Sequence, residues 1–274
     1  MTREQLYRSL LRFRDKFSQA SAQYDGISVH NPELQQTIDD YSVFITDEDN
    51  QRLWAELKDS EIKELHPLVM QLRDSSAHCV AIMEKYRALK LLQGGDDRHD
   101  YFHNIEASID KEFGSFTVTS DSKVLLIGSG AFPMTPLLIA RRTGADVMGI
   151  DIDREAVELG RRVVKRLGPD LPIRLENLPL ERFHDIDRIT HIIISSTVSV
   201  KYSLLDWLHE SALPDVVVAM RYGDGLKALF NYPMEKVDER KWQLAETAVR
   251  PGHVFDVALY RKALKLSRAG EAWR

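Results

Sequence analysis

Two sets of residues in this sequence have types and spacing suited to chemistry. The first is Gly128-Ser129-Gly130, followed one helical stretch later by Asp151-Ile152-Asp153. A two-glycine turn at the end of a strand lets a ligand approach the backbone closely, and the helix that follows offers its free N–H groups. An acidic residue at the end of the next strand can accept hydrogen bonds from the two hydroxyls of a ribose. Pro133 stands where the dinucleotide fingerprint G-x-G-x-x-G has its third glycine, and proline has no N–H to offer a pyrophosphate. That argues against NAD and FAD. A ribose-bearing ligand without phosphate, such as S-adenosylmethionine, needs only the turn and the acid. An α/β turn that binds nothing is the alternative reading.

The second set is centred on Glu84. On a 3.6-residue period Val80, Glu84, Ala88 and Leu91 share a face with Arg87 beside them, so a carboxylate is set into an apolar stripe. Either Glu84 and Arg87 form an i,i+3 pair at a helix edge, or the carboxylate faces a cleft and handles an amine and its proton. Further polar residues are expected at strand ends: Ser195-Ser196-Thr197, and Arg221-Tyr222 followed by Gly223-Asp224. A guanidinium there suits a substrate carboxylate, with a tight-turn pair to Asp224 as the alternative. His99 and His103 have the i,i+4 spacing of metal ligands, but no further ligand cluster completes such a site, so no metal is expected. Tyr101 and Asn104 are candidates for a cover over the ligand.

These residues need elements to hold them. Residues 2 to about 113 read as helical, with Leu6, Leu10, Leu11 and Phe17 on a first helix. Leu34, Ile38, Tyr41 and Phe44 mark a second, and Leu53, Trp54 and Leu57 a short third. A long stretch, 60–92, follows, with a break or kink expected at Pro67. From Ser122 the pattern alternates: strands at 124–127, 147–150, 173–175, 192–195 and 216–220, and helices at 133–142, 154–167 and 203–210. The segments 242–249 and 255–260 form a closing antiparallel pair. Near-continuous apolar runs suit parallel strands buried on both faces. The expected fold is therefore α/β: a class I methyltransferase-like Rossmann domain, mostly parallel with a terminal antiparallel hairpin, preceded by an α-helical domain. The boundaries read as 1–117, helical and covering the active site, and 118–274, binding S-adenosylmethionine.

The composition fits. The chain has 274 residues, 43% of them hydrophobic, which is enough for a sizeable core. Its net charge of −5 provides no basic footprint for nucleic acid. A single cysteine, Cys79, excludes a disulfide framework and suits a reducing compartment. No apolar run approaches the roughly 20 residues that span a bilayer, so no membrane partner and a cytoplasmic location are expected. A homodimer is compatible with the sequence, which leaves the oligomeric state open.

The order of motifs is itself distinctive. LLIGSGAFPMT, GIDID-x-x-AVELGRR, HIIISST and VVVAMRYGDGLKALFNYP, with YFHNIEASIDKEFG ahead of the first strand, resemble the nicotianamine-synthase-like bacterial enzymes of opine-metallophore synthesis, the staphylopine group in particular. The similarity runs over nearly the whole chain. It implies transfer of the 3-amino-3-carboxypropyl (aminobutyrate) group of S-adenosylmethionine to the α-amino group of histidine, with release of 5′-methylthioadenosine. It also implies an NAD(P)H-dependent opine dehydrogenase acting next. By the same resemblance Glu84 is catalytic, with Tyr101 a second candidate. Gly128, Ser129, Gly130, Asp151, Ile152, Asp153 and Ser195 would hold the donor, and Arg221 and Tyr222 a substrate carboxylate. Leu126 and Phe132, which depart from the common methyltransferase pattern, count against ordinary methyl transfer.

Overall fold

A computed structural model describes residues 2–26, 31–95, 112 and 114–263. Four helices come first: α1 (Arg3–Ser21), α2 (Pro32–Thr46), α3 (Glu48–Ala55) and α4 (Asp59–Leu92). Their starts follow from local chemistry. Thr2 and Gln5 form a reciprocal capping box on α1, Asn31 caps α2 ahead of Pro32, and Asp47 caps α3. Of the break or kink expected at Pro67, the break is absent: α4 runs for 34 residues through it. Pro67 lies on an exposed stretch, as does Lys63 one turn earlier, so the carbonyl that proline leaves without a partner faces water. The second half of α4 is buried on several sides because it packs against α1 on one side and a later helix on the other.

The remainder alternates as β1 (Lys123–Ile127), α5 (Met134–Thr143), β2 (Asp146–Asp151), α6 (Arg154–Leu167), β3 (Ile173–Asn177), β4 (His191–Ile194), α7 (Lys201–Ser211), β5 (Val217–Tyr222), β6 (Trp242–Ala248) and β7 (Asp256–Lys262). The seven strands form one sheet in the order β3-β2-β1-β4-β5-β7-β6. β1 to β5 are parallel, and β7 pairs antiparallel with both β5 and β6. Register sets the site: Ile127 lies beside Ile150 on one flank and Ile194 on the other, so the segments after β1, β2 and β4 leave the sheet side by side.

Core clusters cover both sheet faces, and a further one fills the helical part. That helical core includes Leu226, Leu229 and Phe230 from the short turn after β5, and the Tyr41 hydroxyl donates to the Leu229 carbonyl at 2.8 Å. The amino-terminal helices therefore share their core with the carboxyl edge of the sheet. This fastens α4 over the region where a ligand of this fold lies.

Candidate active site

The glycine turn leaves β1 with Gly128 at φ 83° and Gly130 at φ 66°, left-handed values that favour glycine. Gly128 N–H and Ser129 N–H both donate to the Ile150 carbonyl, which ties the turn to β2. A side chain at Gly128 would crowd Val198 and Ser195, whose Cγ2 and Cβ would lie 3.0 and 3.1 Å away. Ser195, expected at this edge, is thus beside the turn. Ser129 is only 5% exposed, and its hydroxyl has no hydrogen-bond partner among the described residues.

Asp151 ends β2. Its Oδ2 accepts from Gly130 N–H at 2.9 Å and its Oδ1 from Asp153 N–H at 2.9 Å. Each carboxylate oxygen keeps a lone pair that a ribose hydroxyl can use. Ile152 is 81% exposed, an apolar side chain held in the open next to that carboxylate, where a nucleobase could cover it. Asp153 caps α6 through Ala156 N–H at 3.1 Å. A cradle of positive-φ glycines, a carboxylate with spare acceptor capacity, an uncovered aliphatic side chain and a buried hydroxyl together fit an adenosyl group.

Glu84 projects from α4 onto this turn. Its Oε2 accepts from Ala131 N–H at 3.2 Å, and a Cβ at Gly130 would overlap that same oxygen. Burial, then the charge of Asp151, push the Glu84 carboxyl up to about 7, against the lowering pull of the Ala131 and Phe132 N–H groups and of Arg87. Arg87, 3% exposed, acts on it electrostatically, and the carboxylate lies against the glycine turn.

The two residues assigned to a substrate carboxylate are not brought together. Along β5 side chains alternate, so Arg221 falls on the face of Val217 and Ala219, and Tyr222 on the face of Val218 and Met220. Tyr222 is buried at 4% exposure and burial pushes its phenol up to about 12. Arg221 presents its fork to Glu112, with Nε to Oε1 at 2.6 Å and Nη2 to Oε2 at 2.8 Å. Nη2 also reaches the Thr135 hydroxyl at 3.1 Å. The carboxylate on that fork is therefore Glu112's. Asp224, the alternative partner, accepts from Met234 N–H through Oδ1. Tyr101, Asn104, His99 and His103 lie outside the described residues.

Sequence reasoning passed over several residues. Lys85 bridges Asp153 and Glu155, and a buried Lys201 donates from Nζ to the Ser196 carbonyl at 3.0 Å and the Arg221 carbonyl at 2.7 Å. Lys201 gave no signal because it begins an amphipathic helix, where lysine is ordinary. Glu112 stood within YFHNIEASIDKEFG, yet pattern alone does not say which of its acids is buried. Among the described residues no group of three or more His, Cys, Asp or Glu could hold a metal, and no helix is long and apolar enough to cross a membrane. A cavity of about 990 Å³ lies elsewhere, between β6, β7 and residues 234–239.

The chain resembles known proteins over most of its length. No family profile matches the chain. It is 30% identical over 231 residues to an L-histidine 2-aminobutanoyltransferase of Pseudomonas aeruginosa (strain UCBPP-PA14), covering 84% of this chain and 86% of that protein. It is 32% identical over 210 residues to an L-histidine 2-aminobutanoyltransferase of Yersinia pestis, covering 76% of each. Among solved structures, MtNAS, a nicotianamine synthase, in complex with MTA and tNA aligns with a TM-score of 0.74 at 16% identity, over 94% of this chain and 98% of that one. A glutamate-to-glutamine variant of MtNAS in complex with S-adenosylmethionine aligns at 0.67 and 14%, over 92% and 98%. At these identities the structures speak for the shared fold.

Proposed function

The chain belongs to the family of L-histidine 2-aminobutanoyltransferases, and we propose that it moves the aminobutyrate arm of S-adenosylmethionine onto the α-amino group of histidine. The observation that carries this reading is the Glu84 carboxylate, delivered by α4 onto the N–H groups after the glycine turn. A sulfonium carries three carbons open to displacement, so the enzyme selects the product by which carbon it turns toward the amine. The adenosyl half is held by Gly128, Ser129, Gly130 and Asp151, with Ile152 and Asp153 bordering the adenine and Ser195 beside the turn. The γ-methylene of the amino acid arm then faces the incoming nitrogen.

The amine lone pair attacks that carbon, the C–S bond breaks, and the sulfonium becomes the neutral thioether 5′-methylthioadenosine. One proton must leave the nitrogen. Glu84, with its affinity for protons raised by burial and by Asp151, is suited to accept it near neutral pH. Because the leaving group is already activated, most of the acceleration comes from orientation and exclusion of water. Arg221 borders the site through Thr135 and Glu112 rather than by taking a substrate carboxylate. Tyr101 remains a second candidate for the catalytic pair. The donor is consumed, no metal takes part, and a 2-oxo-acid-coupling opine dehydrogenase uses the product. The test is Glu84→Gln: it should keep donor binding and lose turnover, and full activity would remove Glu84 from the mechanism.

A further inference from the structure

Residues next to Glu84 in sequence and next to Asp151 in space form a closed circuit. Gly130 N–H donates to Asp151 Oδ2 at 2.9 Å, and Asp153 N–H donates to Asp151 Oδ1 at 2.9 Å. Lys85 Nζ lies 2.7 Å from Asp153 Oδ2. Lys85 is covalently joined to Glu84, whose Oε2 accepts from Ala131 N–H at 3.2 Å, and Ala131 follows Gly130. Every link but the two peptide connections is a charge-assisted hydrogen bond.

The lysine is built into place. It is 8% exposed, its Nζ also lies 2.7 Å from Glu155 Oε2, and the Tyr24 hydroxyl donates to Glu155 Oε1 at 2.7 Å. The Tyr24 ring lies 5.5 Å from the ammonium. Burial opposes the charge on Lys85, but the hydrogen bonds to Asp153 and Glu155 outweigh it and hold the group above its ordinary value. It is therefore an ammonium throughout the neutral range. Without it, Asp153 and Glu155, two residues apart at the start of α6, would lose the ammonium that lies 2.7 Å from both.

We propose that Lys85 is a positioning residue that locks the segment carrying Glu84 to the ribose-binding loop, so that seating the adenosyl group and placing the base are a single event. This rests on the reading of Glu84 as the base. Glu84 and Lys85 contact two different loops, the turn after β1 and the acidic segment after β2, and Asp151 joins those loops. A shift of the ribose-binding carboxylate is thereby felt at Glu84 through two routes.

The test uses the full-length protein with Lys85→Met, Lys85→Arg and Glu84→Gln. Steady-state kinetics give kcat and the KM for S-adenosylmethionine. The infrared carboxyl band that disappears in Glu84→Gln reports the titration of Glu84 directly. Lys85→Met should lower kcat at saturating substrates by about tenfold or more, as expected for a displaced reacting group. It should also move the Glu84 titration by about one pH unit toward the ordinary carboxylate range as the side chain leaves its place against the turn. Lys85→Arg should recover kcat to within about threefold, because the cation and its two acceptors persist. A Glu84 band that titrates as in the wild type, with kcat unchanged in Lys85→Met, would overturn the proposal. If Lys85→Met does not accumulate as folded protein, Asp153→Asn removes the charge of one partner of Lys85 and must move the same band, or the proposal fails. Turnover persisting in Glu84→Gln would instead reject the base assignment, so the two failures are distinguishable.

Discussion

Gly130→Ala concentrates the site's geometry in one methyl group. Gly130 has a φ of 66°, where an L side chain costs about 1–2 kcal/mol. The added Cβ would overlap Glu84 Oε2 and lie 3.0 Å from its Cδ, so the carboxylate must swing away and give up the Ala131 N–H. A displacement on the order of 1 Å at a reacting group costs roughly 10²-fold in rate. The expected outcome is a loss of about 1–2 kcal/mol in unfolding free energy and a fall in kcat of about 10²-fold. Donor affinity should change much less, because Asp151 and the backbone N–H groups remain. Gly252→Ala is the control: its φ is 76° and nothing lies within 4 Å of its would-be Cβ, so it carries the same backbone cost without touching Glu84. Chromatographic quantitation of methylthioadenosine gives kcat, calorimetry gives donor affinity, and urea unfolding gives stability. A folded Gly130→Ala protein with kcat within about threefold of wild type would refute the placement of Glu84 over the turn.

Further outcomes follow from the same contacts. Turnover should fall as pH drops through about 7, because Glu84 then holds its proton, and the infrared carboxyl band absent from Glu84→Gln should titrate over the same range. The folded value of Glu84 lies above its ordinary 4.5, so the native state binds that proton more tightly than the unfolded chain. Wild-type stability should therefore decline relative to Glu84→Gln between pH 4.5 and about 7, as read by urea unfolding across pH. Asp151→Ala should weaken donor binding roughly 10- to 100-fold by calorimetry, since charged hydrogen bonds contribute about 1.5–3 kcal/mol each. Lys201, fully buried, is lowered from 10.5 to about 7, chiefly by burial. Its native state binds the proton less tightly than the unfolded chain. Wild-type stability should thus rise relative to Lys201→Met between pH 7 and 10.5, by a few kcal/mol at about 1.4 kcal/mol per pH unit; a flat difference in urea unfolding would contradict this.

Much of the scaffold was legible because its signals are local. The helix expected at 154–167 matches α6 at both ends: Asp153 caps its start, and Gly168 follows its last residue. The glycine turn and Asp151 were legible for the same reason, since φ above zero and a strand-end acid are properties of a few neighbouring residues. Pro67 does not end the helix because propensity describes an isolated helix, whereas α4 is fixed by packing against α1 and α6 and needs only one carbonyl to face water. The Arg221 fork was illegible because its partner, Glu112, comes from the segment ahead of β1 and meets β5 only after the sheet is assembled. Lys85 was hidden beside the residue that drew attention. Consecutive helical residues point about 100° apart, and pattern analysis of one face says nothing of what the next residue meets.

The product reveals which carbon of the sulfonium is attacked. Purified protein is incubated with S-adenosylmethionine and, separately, L-histidine and D-histidine, and the mixture is resolved by mass spectrometry. The expected products are methylthioadenosine and a histidine adduct heavier by one aminobutyrate unit, with the productive enantiomer identified in the same experiment. S-adenosylhomocysteine with methylated histidine, or no turnover with either enantiomer, would contradict the proposed transfer.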